Sequence, residues 1–451
     1  MFKKILVANR GEIARRVIRA CHELKIAAVA VFSEADEKAA YLKEADQAVC
    51  IGPGPSSLSY LNQDAILHVA QTEECEAIHP GYGFLAENAI FATRCEQQKL
   101  TFIGPRPAHI RLMGDKSTAR ETMRKVGLPV MPGSSQVLQS LEEAVSLAEV
   151  IGYPVLLKAT AGGGGKGMRL VAAKTEMKDN FLQASAEAQK AFSNPDLYME
   201  KYFVNARHIE FQILADAFGK VIHLGERECS IQRNHQKLLE EAPAFGFSEE
   251  KRAKMGQKIC EALSEIGYLG AGTMEFLLSK SGELYFMEMN TRIQVEHPVT
   301  ELVTGIDLVA WQIKIAAGER LSLSQDQIKL SGHAIECRIN AEDPDYNFKP
   351  SPGCVTRFDV PENSPQGPVR FDTHVSKDYN IPPYYDSMIG KLIVHGHDRD
   401  AAIKQMQKAL LATCIEGVPT TLDLQRMIVA HPVFVAGGYD CGFLQEIKWQ
   451  K

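Results

Sequence analysis

The sequence contains no apolar run approaching the roughly eighteen residues that a membrane-spanning helix requires, which excludes an integral helical membrane protein. It also lacks a secretory leader. Met1-Phe2-Lys3-Lys4 leads into a short apolar run, Ile5 to Ala8, and Asn9-Arg10-Gly11 stands where a cleavage site would be, so a cytoplasmic location is expected. Ten cysteines are scattered from Cys21 to Cys441 without a Cys-x-x-Cys pair, which removes the usual zinc and disulfide frameworks and predicts reduced, mostly buried thiols. Basic excess is absent too. With 50 Lys plus Arg against 56 Asp plus Glu, a net charge of −6 argues against a nucleic-acid surface, although a few concentrated cations can still form a local anion pocket. No internal repeat or low-complexity tract occurs.

Two familiar phosphate-binding signatures are missing as well. The first βα turn holds a single glycine, Gly11, and no Gly-x-Gly-x-x-Gly, which speaks against a Rossmann dinucleotide site. In Gly162-Gly163-Gly164-Gly165-Lys166-Gly167, a glycine sits where a Walker A loop needs Ser or Thr.

What is present is an ordinary globular composition, 45% hydrophobic and 24% charged, in a chain of 451 residues, long enough for two to four domains. Lys4 to Ala8 reads as a buried strand, Glu12 to Lys25 as a helix and Ala27 to Phe32 as a second strand, a βαβ unit that predicts a doubly wound parallel sheet. This first α/β unit is expected over 1–113, followed by a linker helix over 114–130. A small α+β lobe with the glycine loop follows over 131–203. The rest divides into 204–330, which starts on the alternating strand Arg207 to Leu214, and a β-rich 331–451 with strands near His333 to Asn340 and Ser387 to His395. An amphipathic helix from Asp400 to Thr413 packs on that sheet.

Several stretches carry chemistry. Read at strand periodicity, Glu288, Asn290, Arg292, Gln294 and Glu296 share one face and Met289, Ile293 and Val295 the other, which brings carboxylates, amides and a guanidinium together. Thr273 to Leu278 and Glu283 to Met289 read as a hairpin. With Leu278 opposite Glu283, Phe286 faces Glu275 and Glu288 is the diagonal neighbour of Glu275; two carboxylates plus Asn290 suit magnesium. Strand Tyr153 to Lys158 ends in a lysine beside the glycine loop, whose backbone N–H groups can approach phosphate closely. Glu200-Lys201-Tyr202-Phe203 could offer hinge backbone groups to an adenine edge. His208, Glu210 and Gln212 alternate with Ile209, Phe211 and Ile213, and Gln232 to Lys237 forms a polar loop in which Lys237 suits a phosphoryl oxygen and His235 a ribose or phosphate. Glu336, Arg338 and Asn340 project together, and the turn His79 to Asn88, with Tyr82, follows a strand where ligands tend to bind.

These segments resemble, over essentially the whole chain, the biotin carboxylases of the ATP-grasp superfamily. The likeness is carried by Ile5 to Ala14, the His79 to Asn88 loop, Met113-Gly114-Asp115-Lys116, the glycine loop, Glu226 to Arg233, Glu288 to Pro298 and Ile335 to Glu342. It implies an N-terminal pre-ATP-grasp domain, an ATP-grasp lid and core, and a C-terminal biotin carboxylase domain. It implies that Lys116, Lys158, the loop Gly162 to Gly167 with Lys166, Glu200, Lys201, His208, Gln232 and His235 bind ATP, and that Glu275, Glu288 and Asn290 hold magnesium or manganese. Glu296 would deprotonate bicarbonate, which Arg292, Gln294, the Val295 backbone and Lys237 position for attack on the γ-phosphate. Carboxyphosphate would then release carbon dioxide beside biotin, with Arg338 stabilising the enolate-like oxygen and Tyr82 and His208 lining the biotin pocket. Lys166 stands where many relatives carry Arg, which keeps the charge without the bidentate fork.

No Met-Lys-Met-like biotinylation site occurs, and no carboxyltransferase region follows Lys451, so biotin is expected on a separate carrier protein alongside carboxyltransferase subunits. The resemblance implies a homodimeric subunit of acetyl-CoA carboxylase, serving malonyl-CoA and fatty acid synthesis. A two-subunit pyruvate carboxylase or another acyl-CoA carboxylase would use the same residues. A different ATP-grasp ligase would lack the Arg292 to Glu296 clamp and Arg338, and a nucleotide-binding regulatory protein would bind ATP without bicarbonate-dependent turnover.

Overall fold

The continuous apolar run Ile5-Leu6-Val7 can be satisfied only where both faces of a strand are covered. In the computed structural model, which describes residues 1–134, 136–160, 168–361 and 369–447, Lys4–Val7 is the central strand of a five-stranded parallel sheet. Across the sheet the order is Gln47–Cys50, Ala27–Phe32, Lys4–Val7, Ala77–His79, Thr101–Phe102. Ile5 and Val7 pack with Ile13, Val17 and Ile18 of helix Gly11–Glu23 on one face; Leu6 packs with Ile66 and Phe91 on the other. The sheet is therefore doubly wound, as the βαβ pattern predicted.

A second layer is small. Met168–Val171, Val155–Ala159 and Leu197–Lys201 form an antiparallel sheet, and helices Leu141–Ile151 and Met177–Phe192 cover one of its faces through Ala144, Ala148, Ala184 and Ala188. Strand alternation sends Val155 and Leu157 into that core and Lys158 and Glu200 to the opposite face. The glycine loop, Gly162, Gly163, Gly164, Gly165, Lys166 and Gly167 included, lies outside the described residues.

The largest layer is an antiparallel-paired sheet of eight strands. Its order is Leu284–Asn290, Gly270–Leu278, Arg207–Ala215, Val221–Arg233, Gln236–Ala242, His333–Asn340, Met388–Gly396, Val369–Thr373, so it runs without interruption from the 204–330 segment into 331–451 through the pair Leu239–Cys337. Helix Arg399–Ala412 packs Ala402, Ile403, Met406 and Leu410 against it.

Two local expectations are corrected. The strand that carries Glu288 ends at Asn290, and Arg292, Gln294 and Glu296 follow in a loop that turns into helix His297–Thr304. The Thr291 N–H leaves the ladder for the Glu87 carboxylate at 2.9 Å, and Pro298 sits in the first turn of the next helix. The hairpin register differs as well. Ser279 N–H closes on the Glu283 carbonyl at 2.9 Å with Gly282 at φ 85, so Leu278 pairs with Leu284 and Phe276 with Phe286. A register shift between Glu275 and Phe276 then skips Met287 and sets Glu288 directly opposite Glu275.

Candidate active site

Register alone builds a row of charge across four strands. Glu288 pairs with Glu275, Glu275 with Glu210 and Glu210 with Arg227, each step crossing one inter-strand spacing. Ile209 and Phe211 fill the apolar cluster on the other face, so the alternation of this strand commits His208, Glu210 and Gln212 to the site. Three carboxylates in a row would repel one another, and the surrounding cations and amides show how they are held. Lys237, the first residues of its strand having just left a turn with positive φ at Asn234 and His235, reaches Glu210 at 2.5 Å, Glu275 at 3.0 Å and Glu296 at 2.6 Å. Glu275 further accepts from Asn290 at 2.7 Å and Gln294 at 2.8 Å, with His208 Nε2 3.0 Å away. Lys116 covers Glu288 at 3.0 Å.

Glu296 lies at the end of this network, 2.6 Å from Lys237 on one oxygen and 2.9 Å from Arg338 on the other. Burial would push its carboxyl up, but Lys237, Arg338 and Arg227 outweigh burial and hold it well below the usual carboxylate range. Glu275 behaves alike: Lys237 and His208 overcome burial and keep it well below that range. Arg338 donates Nε to Glu240 at 2.6 Å while it holds Glu296. Burial pushes Glu240 up to about 7 against the opposing pull of Arg338, and pushes Glu336, its cross-strand partner, well above the usual range. Carboxyls that cations hold low, Glu296 and Glu275, thus lie near carboxyls that burial pushes up, Glu240 and Glu336.

Arg292 sits on the rim, with Nε on Glu87 at 2.9 Å and a second nitrogen 3.2 Å from Asn290 Oδ1. Lys158 of the small lobe and Arg120 of helix Lys116–Lys125 both contact the Glu200 carboxylate, while Lys201 spends its ammonium on the carbonyls of Gly152 at 2.9 Å and Tyr153 at 3.0 Å. The N–H of Lys201 is also taken, by the Pro132 carbonyl at 2.7 Å. Gln232 joins His208 Nδ1 at 2.8 Å, and His235 is exposed at the hairpin turn. Tyr82 donates its hydroxyl to Glu12.

Sequence reasoning assigned no part to Arg227, Glu240 or Lys391. Arg227 is fully buried and donates to Glu210 at 2.6 Å, Gln212 at 2.8 Å, Thr300 at 2.9 Å, Thr273 at 3.2 Å and Gln294 at 2.9 Å. The alternating charges of Glu226-Arg227-Glu228 in mid-strand are the available signal for Arg227.

The donors suit a hard cation. Glu275 and Glu288 present oxygens across one strand pair with Asn290 beside them, the set magnesium prefers. His208, Glu210 and Glu275 also bring ligand atoms within 4.8 Å of one another, but the Lys237 ammonium already bridges two of those three.

A small antiparallel lobe carrying the half-buried Lys158, set with a larger antiparallel sheet bearing paired carboxylates, is the arrangement of an ATP-grasp enzyme. Residues 115–324 match the family described as carbamoyl-phosphate synthase L chain, ATP binding domain; 1–110 match biotin carboxylase, N-terminal domain, and 336–446 the biotin carboxylase C-terminal domain. The chain is 57% identical over 447 residues to a biotin carboxylase of a Nostoc species, covering 99% of both. It also resembles the biotin carboxylase domain dimer of Hydrogenobacter thermophilus 2-oxoglutarate carboxylase, solved with MgADP, ADP and bicarbonate (TM-score 0.94, 51% identity, 100% of both chains). A Campylobacter jejuni biotin carboxylase in complex with a β,γ-ATP ligand superposes with a TM-score of 0.94 at 48% identity over 99% of each chain. The chain belongs to the biotin carboxylase family and is an ATP-dependent carboxylase.

Proposed function

We propose that the protein carboxylates biotin with bicarbonate at the expense of ATP, and that Glu296 is the base. The observation that carries this is the Glu296 carboxylate, buried and ionised between Lys237 and Arg338 at 2.6 and 2.9 Å. In that state it is a poor base. A bicarbonate ion entering beside it would draw Lys237 and Arg292 onto its own oxygens and so restore the basicity of Glu296. Glu296 then takes the bicarbonate proton as a bicarbonate oxygen forms its bond to the γ-phosphorus and the bond from that phosphorus to the ADP oxygen breaks. Gln294 and the Val295 N–H complete the anion cradle. Glu275 and Glu288, with Asn290, would hold magnesium, which supplies charge neutralisation at the phosphates.

Carboxyphosphate then breaks its C–O bond to give carbon dioxide and phosphate. The phosphate takes the ureido N–H proton of biotin, and that nitrogen bonds to carbon dioxide. Arg338, held less tightly once Glu296 has taken a proton and lost its charge, stabilises the ureido oxygen as it gains charge. Lys116, Lys158, Glu200, Lys201, His208, Gln232 and His235 are assigned to ATP, with Lys166 and Gly162 to Gly167 of the glycine loop, and Tyr82 and His208 to the biotin pocket.

Biotin is read as arriving on a carboxyl carrier protein, with carboxyltransferase subunits completing an acetyl-CoA carboxylase in the cytoplasm, and the chain as a homodimer like the Hydrogenobacter domain. Because that relative belongs to a 2-oxoglutarate carboxylase, the acyl acceptor is tested by co-purification: a pyruvate- or 2-oxoglutarate-specific partner overturns this assignment. The catalytic reading is tested by magnesium-dependent ATP hydrolysis with bicarbonate, with and without free biotin. Hydrolysis should require bicarbonate, rise with biotin, and fall by about two to four orders of magnitude in Glu296→Ala; hydrolysis indifferent to bicarbonate overturns it.

A further inference from the structure

Val295 is anchored from both sides by side chains outside the set assigned to substrates. The Gln294 carbonyl accepts from Nδ1 of His297 at 2.7 Å, and the Val295 carbonyl accepts from Nζ of Lys391 at 2.7 Å. In a trans peptide the N–H points opposite its C=O. The first contact therefore sets the direction of the Val295 N–H, and the second sets the peptide plane that leads into Glu296. Both anchoring side chains are fully buried. Burial, helped by the nearby Lys391 charge, holds His297 well below the usual histidine range, so its imidazole is neutral and Nδ1–H is the donor.

Lys391 stands opposite Arg338 on the neighbouring strand and lies 3.0 Å from Glu12 Oε1, in the helix of the first sheet. That same oxygen accepts the Tyr82 hydroxyl. The Glu12 carboxylate balances the buried Lys391 ammonium at contact distance, with Asp372 opposite it on the other neighbouring strand. The second bond of that ammonium, to a carbonyl in the loop between Asn290 and helix His297–Thr304, adds nothing to charge balance and fixes the very segment that holds Gln294, Val295 and Glu296.

We propose that Lys391, paired with Glu12, is a positioning residue that holds the Val295–Glu296 peptide for bicarbonate and links it to Tyr82. The inference rests on the reading of Arg292 to Glu296 as the bicarbonate site. It places the effect on bicarbonate and not on nucleotide, because Lys391 touches none of the residues assigned to ATP.

The test uses the full chain and steady-state ATP hydrolysis at varied bicarbonate and varied MgATP. If the wild type shows no bicarbonate dependence, the functional reading itself fails. If it does, Lys391→Met should raise the bicarbonate KM about tenfold or more and lower kcat, with the MgATP KM changed less than about twofold. Lys391→Arg, which keeps a buried cation donor, should recover part of that loss. The double variant Glu12→Gln/Lys391→Met removes both buried charges together and so avoids an unpaired one; it should show the same bicarbonate defect. A folded Lys391→Met or double variant with the wild-type bicarbonate KM overturns the proposal, as does a parallel rise of the bicarbonate and MgATP constants.

Discussion

Glu275 and Glu288 face each other directly across an antiparallel strand pair, brought there by the shift that skips Met287. Directly opposed like charges destabilise a sheet, and here Lys237 and Lys116 offset them one apiece at 3.0 Å. A divalent cation would take over that work. Glu288→Gln should therefore leave the melting temperature without nucleotide unchanged or slightly raised. The wild type should gain stability when magnesium and ADP are added, by roughly 2.7 kcal/mol at a hundredfold excess over Kd, and the variant should lose most of this gain. Differential scanning calorimetry with and without MgADP reads both; an equal gain in the variant would remove Glu288 from the metal set.

Arg227 joins the two halves of the site without reaching its open side. Its guanidinium donates to Glu210, Gln212, Thr273, Gln294 and Thr300 while fully buried. Arg227→Met leaves Glu210 with one fewer cation and two amide oxygens short of a donor, and should cost about 3–5 kcal/mol in denaturant unfolding. The double variant Arg227→Met/Glu210→Gln should recover part of that loss, because the buried charge goes with its partner. No recovery would show that the cost is packing.

Glu241, next to Glu240 in sequence, points to the opposite face of the sheet and accepts from His333 at 2.8 Å, Arg399 at 2.8 Å and the Tyr439 hydroxyl. Burial opposes its ionisation, but His333 and Arg399 pull its carboxyl from 4.5 down to about 2. A carboxyl lowered by folding contributes stability that is fully present above the unfolded pKa and is lost as pH falls toward the folded one. The loss should run from about pH 4.5 to about pH 2 and amount to something on the order of 3 kcal/mol. Glu241→Gln should be less stable at neutral pH and lose less stability over that interval, measured by denaturant titration at each pH. An identical pH slope in the two proteins would refute the assignment.

Local pattern made much of this fold legible. The βαβ opening, the lobe strand that carries Lys158 on one face, and the alternation of His208, Glu210 and Gln212 with Ile209, Phe211 and Ile213 follow from side-chain period and burial, which neighbours along the chain express. The grouping of Glu288, Asn290, Arg292, Gln294 and Glu296 was right in outcome and wrong in cause. A continuous strand was expected, and a loop held by Glu87 brings Arg292 to Asn290 and Gln294 and Glu296 to the carboxylate row.

Side-chain pattern along the chain was enough to show which strands bear a charged face and the family to which the motifs belong. Tertiary structure alone decided that Glu288 stands opposite Glu275, because one skipped residue in a ladder leaves no trace in apolar period. It alone decided that Lys391 reaches the carbonyl of Val295, 96 residues away in sequence, and that Arg227 unites five acceptors. A buried charge is tolerated only where its partners meet it, and those partners come from strands and loops that only the packed sheet brings together.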